Sequence, residues 1–89
     1  TRERIRDEAG FAKYGEMAGA SMAGHPIEPL VVYGAIETLE GPQADGAVVV
    51  RFPDAAAARA WYDSPAYVEA RQQRFKSADY RVVLVEGIG

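Results

Sequence analysis

The chain contains no cysteine. Disulfides, thiolate metal sites and a thiol nucleophile are therefore excluded, and a reducing, cytoplasmic setting is the compatible expectation. Histidine is almost as scarce: His25 is the only one. A lone imidazole without thiolates needs a carboxylate partner, such as Glu28, before it resembles a zinc or haem site. No metal and no cofactor is expected. Basic charge is in short supply too, with ten Lys and Arg against thirteen Asp and Glu, a net charge of −3. This leaves no electrostatic footprint for nucleic acid. No apolar run approaches the roughly 18 residues of a membrane span. Neither nucleic acid nor membrane is an expected partner. No signal peptide is visible. The chain opens at Thr1 without a methionine and inside a strand-like stretch, which leaves room for an upstream segment, a targeting one included.

What is present is ordinary for a globular protein: 89 residues, 48% hydrophobic and 26% charged. That length makes one domain, 1–89, with a modest core. The most informative stretch runs from Ala47 to Tyr67. Val48, Val49 and Val50 are β-branched and favour a pleated surface. Val48, Val50 and Phe52 share one face of the strand; Val49 and Arg51 share the other. Pro53 ends the ladder, and Asp54 is placed to cap an alanine-rich helix. That helix should end near Asp63, because the residue before a proline avoids the helical region. Ser64-Pro65 then opens a further helix, over about 65–76.

Elsewhere the pattern is plainer. Thr1 to Arg6 alternates polar residues around Ile5 and reads as the tail of a first strand or as a polar lead-in. Asp7 is a candidate N-cap for a helix over about 8–22, whose apolar stripe is Phe11, Tyr14, Ala18 and Met22. Gly10, Gly15 and Gly19 weaken that helix and offer close approach to a neighbour. Ile27 to Tyr33 reads as a strand, at an edge because of Pro29, with a bulge or bend at Gly34. Residues 35–40 continue extended, and 41–46 form a turn-rich loop. Tyr80 to Glu86 reads as a last strand, apolar on both faces.

The order is β-α-β-β-α-β. It predicts an α+β, ferredoxin-like fold: a four-stranded antiparallel sheet with helices on one face. Val49, Val83 and Val85 would leave the other face apolar, which points to a second copy packed sheet to sheet.

These residues also carry a resemblance. Asp7-Glu8-Ala9-Gly10-Phe11-Ala12-Lys13-Tyr14, Leu39-Glu40-Gly41, Val48 to Pro53, Ala60-Trp61-Tyr62-Asp63-Ser64-Pro65-Ala66-Tyr67 and Val85-Glu86-Gly87 together resemble a small uncharacterised bacterial family. It is the domain of unknown function numbered 1330, within the dimeric α/β-barrel superfamily. The resemblance covers nearly the whole chain; the segment around Trp61 and Pro65 is its most specific part. It implies a homodimer whose two sheets form a barrel, and it implies no particular activity. The superfamily includes cofactor-independent monooxygenases, isomerases and haem enzymes. Where such proteins carry an Arg-Gly-Gly step, this chain reads Val32-Tyr33-Gly34.

Candidate site residues follow, each with its bland counterpart. His25 is a candidate acid or base, or an exposed loop residue. Arg51 is a candidate anion ligand in the dimer barrel, or one half of a salt bridge. Trp61, with Tyr14, Tyr62 and Tyr67, is a candidate ligand wall, or core packing. Tyr33 stands where the family has a glycine and either fills or lines the space there. Ser21, Ser64 and Ser77 sit in no nucleophile motif, and Arg71 to Arg74 reads as a solvated helix face. The expected function is that of a homodimer binding a small, partly aromatic molecule, as a cofactor-independent enzyme of oxygenase or isomerase type. The alternative is a non-catalytic binding or structural module.

Overall fold

The computed structural model describes residues 1–88. Its element order is β1 (Arg2–Ile5), α1 (Glu8–Ser21), β2 (Glu28–Val32), β3 (Val48–Arg51), α2 (Ala55–Tyr62), α3 (Pro65–Ser77) and β4 (Ala78–Tyr80). The chain is α+β, as its patterning indicates. Among the described residues no helix is long and apolar enough to cross a membrane.

Local chemistry sets the helix starts. The Asp7 carboxylate accepts from the Gly10 amide, Asp54 from Ala57 and Ser64 from Tyr67. Each satisfies one of the amides that a first helical turn leaves unpaired. Pro65 occupies the first turn of α3, where a missing N–H costs nothing.

Helices α1 and α3 make the main packing contact. The start of α1 lies against the end of α3, and the Arg6 and Asp7 amides both donate to the Ser77 carbonyl. Gly10 is what permits this approach. A Cβ there would sit 2.8 Å from Asp7 Oδ2 and 3.2 Å from Ser77 Cβ. The other two α1 glycines face open space. Along α3, Tyr67, Ala70, Arg74 and Ser77 are buried. With Tyr14 and the flanking Phe11, Met17, Ala18, Trp61 and Tyr62 they make the core.

The strands depart from the expected single sheet. β1 pairs only with β4 and β2 only with β3, both antiparallel, giving two two-stranded sheets. One isolated bridge, Arg2 to Gly46, links the strand pairs. The Arg2 amide donates to the Gly46 carbonyl at 2.8 Å, and the Asp45 amide donates to the Arg2 carbonyl at 2.9 Å. The expected strand over Tyr80 to Glu86 instead spans Ala78–Tyr80. Register explains why. Ile5 faces Ala78 and Arg2 faces Tyr80, and the Arg81 amide donates to the Thr1 carbonyl. Residues 82–86 have no strand partner among the described residues. Val83 and Val85 are accordingly 77% and 81% exposed.

In the other pair, β2 is exposed along its whole length. Pro29 does lie in a strand with one neighbour, as the missing N–H requires. The bulge expected at Gly34 falls between Pro29 and Val31, and Tyr33 rather than Gly34 takes the left-handed backbone, at φ 53°. In β3, Val48 and Val50 are half-buried while Val49 and Arg51 face outward, the alternation the sequence indicates.

Candidate functional site

The aromatic side chains do not spread evenly over the core. They line up through one arginine. The Trp61 ring lies 4.0 Å from that of Tyr67, and the Tyr67 hydroxyl is 2.8 Å from the Tyr14 hydroxyl. Arg74 Nη1 donates to the same Tyr67 oxygen at 2.7 Å. The Arg74 guanidinium stands 5.0 Å from the Tyr80 ring centre, 5.3 Å from Phe75 and 5.6 Å from Tyr14. The Tyr80 hydroxyl in turn meets the Tyr33 hydroxyl at 2.7 Å. Arg2 closes the far end, 4.6 Å over the Tyr33 ring and paired to Asp45 at 2.6 Å. Gly46 makes room for this closure, since a Cβ there would meet Tyr33 Cδ1 at 2.8 Å and Arg2 Nη2 at 2.9 Å.

Helix periodicity puts Arg74 in the middle. Positions 67, 70, 74 and 77 follow three- and four-residue steps and so share one face of α3. That face is pressed on α1, and Arg74 is only 3% exposed. Expecting Arg71 to Arg74 to form a solvated face is therefore wrong for Arg74. Arg71 is drawn in as well: it stacks on Tyr62 at 4.1 Å and donates to the Tyr62 carbonyl at 2.7 Å. A run of polar letters hid the period; tested against Tyr67 and Ala70, it would have shown Arg74 on the packed face.

Burial works against the charge on Arg74, but neighbouring Tyr67 and Tyr14 reverse that effect and hold its proton above the ordinary value. Burial, with Tyr14 next, pushes the Tyr67 phenol far above its ordinary range. Burial and the bond to Tyr33 do the same for Tyr80, and burial raises Tyr33. These phenols are neutral at physiological pH. They can orient a ligand by hydrogen bonds but do not supply a phenolate base.

The network reaches the surface at one open depression of about 320 Å³. Its walls are Glu3, Arg6, Arg74, Phe75, Ala78, Asp79 and Tyr80. Arg6 donates to the carbonyls of Phe75, Lys76 and Ala78 at the end of α3, and to Asp79. Arg4 binds the same Asp79 carboxylate. The Arg4 hydrogen bond, with Arg6 adding to it, holds Asp79 below its usual value. A second hollow, along loop residues Ile36 to Ala44, contains no buried polar group.

The residues singled out from sequence divide. Tyr33 and Trp61 fall at opposite ends of the one network. Trp61 packs on Phe52 and Tyr67, and its Nε1 donates to Ser21 Oγ at 3.1 Å. His25 lies half-buried on the loop after α1, and lines neither depression. Arg51 is exposed and paired with Glu28 at 2.6 Å. The serines all have structural partners: Ser21 donates to the Ala18 carbonyl, Ser77 to Gln73, and Ser64 caps α3. Among the described residues no group of three or more His, Asp or Glu is placed to hold a metal ion.

Fold and site together define a small α+β domain whose helix pair buries an arginine among tyrosines beside an open, mixed-charge depression. The chain belongs to the family of domain of unknown function 1330, whose family model matches residues 1–88. No curated protein matches it.

Proposed function

We propose that the protein is a homodimer that binds a small, partly aromatic metabolite. The observation that carries the ligand is the depression that opens on Arg74 and Tyr80, backed by hydroxyls held neutral. Flat aromatic walls supply apolar area, and a few fixed polar groups supply orientation. A second copy is supported by exposed apolar residues on separate elements: Leu30, Val31 and Val32 on β2, Val49 on β3, and Val82 to Val85 after β4. Two strand pairs joined by one bridge also leave edges that a partner sheet would cover. A dimeric barrel of four-stranded sheets is the assembly this reading implies, with the chain working in the cytoplasm.

The enzymatic form of the reading is a cofactor-independent conversion of oxygenase or isomerase type. The alternative is a non-catalytic binding module. Two observations favour the alternative: His25 and Arg51 lie away from the depression, and the Tyr80 phenol that lines it is not poised as a base. Light scattering across a concentration series tests the dimer, and a ligand screen by NMR tests binding. Dimerisation that Val49→Asp abolishes, with helicity retained, supports the assembly. A monomer at all concentrations that binds no aromatic molecule sinks the proposal. Turnover of a bound compound by the wild type would select the enzymatic form.

A further inference from the structure

Among the described residues Arg74 meets its charge with phenols and aromatic rings alone. Its side chain is buried, yet no carboxylate among the described residues lies within ion-pair distance of it. Nη1 is committed to the Tyr67 hydroxyl, a neutral acceptor. Nε is sealed from solvent and has no acceptor among the described residues. Buried polar atoms in folded proteins are almost always bonded, so an orphaned guanidinium Nε calls for an explanation. Three aromatic rings within 5.6 Å compensate the charge in part, but rings accept no hydrogen bond from Nε in its own plane.

Arg74 is one wall of the depression, and Phe75, 52% exposed, is another. Of the four charged walls, Arg6 and Asp79 are engaged with each other and Asp79 also with Arg4. That leaves Arg74 and the exposed Glu3, which makes no ion pair among the described residues.

We propose that Arg74, through its unpartnered Nε, is the docking point for the carboxylate of a small aromatic monoacid, whose ring lies against Phe75 and Tyr80. This rests on the small-molecule-binding reading above and names its ligand class. A planar guanidinium edge matches a carboxylate with two parallel hydrogen bonds. The ligand satisfies Nε and supplies the missing negative charge in one step. Glu3 on the rim repels a second negative charge, which selects a monoacid over a diacid. Access comes from a change of the Phe75 rotamer.

The test uses the uniformly ¹⁵N-labelled full chain, following arginine Nε–Hε resonances during titration with benzoate and phenylacetate. Benzamide and phenylacetamide serve as uncharged isosteres, and Arg74→Met and Arg74→Lys as variants. The acids should saturably shift one Hε resonance, the one missing from the Arg74→Met spectrum. They should bind at least about tenfold more tightly than the amides, the scale of one charge-assisted hydrogen bond. Arg74→Met should lose that advantage, and Arg74→Lys, which cannot form the bidentate pair, should keep only part of it. Should a variant fail to fold, the wild-type Hε shift and the acid-to-amide ratio decide alone. Acids and amides binding equally, without movement of an Hε resonance, would overturn the Arg74 assignment and leave the small-molecule reading standing. If neither series binds, both are overturned.

Discussion

Replacing Arg74 with methionine should cost this protein little stability, although the residue is buried. Methionine keeps an unbranched stem of similar length to pack between α1 and α3. The change removes a hydrogen bond from a charged donor to Tyr67, worth about 1.5–3 kcal/mol. It also removes cation–π contacts to Tyr14, Phe75 and Tyr80, worth about 0.5–1 kcal/mol each. Against these losses stands relief from an orphaned buried Nε, about 1–3 kcal/mol, and from the desolvation of a charge without a counter-ion, which in buried sites reaches several kcal/mol per ion. Tyr67 retains its bond to Tyr14, so no new orphan is created. The opposing effects cancel to within about 2 kcal/mol, whereas breaking a compensated buried ion pair costs about 3–5 kcal/mol. Urea unfolding followed by circular dichroism, at one fixed protein concentration, measures the difference. A loss of 3 kcal/mol or more (on the scale of a broken buried pair) would mean the guanidinium is fully compensated inside the protein, and the case for an unmatched charge would collapse.

Three further outcomes are expected. Gly10→Ala should destabilise by about 1–2 kcal/mol in thermal melts despite the better helix propensity of alanine, because the new methyl meets Asp7 Oδ2 at 2.8 Å; a stabilised variant would show that the α1–α3 approach is looser than described. Asp79 has a folded-state value below its unfolded one, so its contribution is present above the ordinary carboxylate range and lost as pH falls through the folded value. The stability difference between wild type and Asp79→Asn should accordingly shrink on acidification, and a pH-independent difference would contradict the Arg4–Asp79–Arg6 cluster. Tyr67 and Tyr80 are raised, so their contribution is complete below their unfolded value of 10.0 and lost as pH rises above it. Phenolate absorbance from these two tyrosines should emerge together with loss of helical signal; ionisation of all five tyrosines in the folded protein would argue against their burial.

Local chemistry was legible in advance. Asp7, Asp54 and Ser64 cap helices because a cap needs only its own side chain and amides two or three residues on. The bounds of α1, α2 and α3 follow to within a residue or two for the same reason. The outward turn of Val49 and Arg51 came from the two-residue period of a strand. Trp61 stood out within the segment most specific to the family and Tyr33 as the residue standing where the family has a glycine, and both join the aromatic network.

Strand pairing was not legible to the same degree, since it depends on which distant residues meet. Val82 to Val85 look like a strand by composition, but no described strand pairs with them, and a strand without a neighbour is not formed. The same limit applies to function. Arg51 and His25 are conspicuous as single letters, while Arg74 is one polar residue in a run of four. Only the packing of α3 on α1 removes Arg74 from water, and only then does its unmatched charge become a chemical fact. By itself the sequence determined the helices, their caps and the alternation within strands, because those rest on contacts a few residues apart. Which strands pair, and which arginine is buried without a carboxylate partner among the described residues, tertiary structure alone decided, because both depend on groups brought together from opposite ends of the chain.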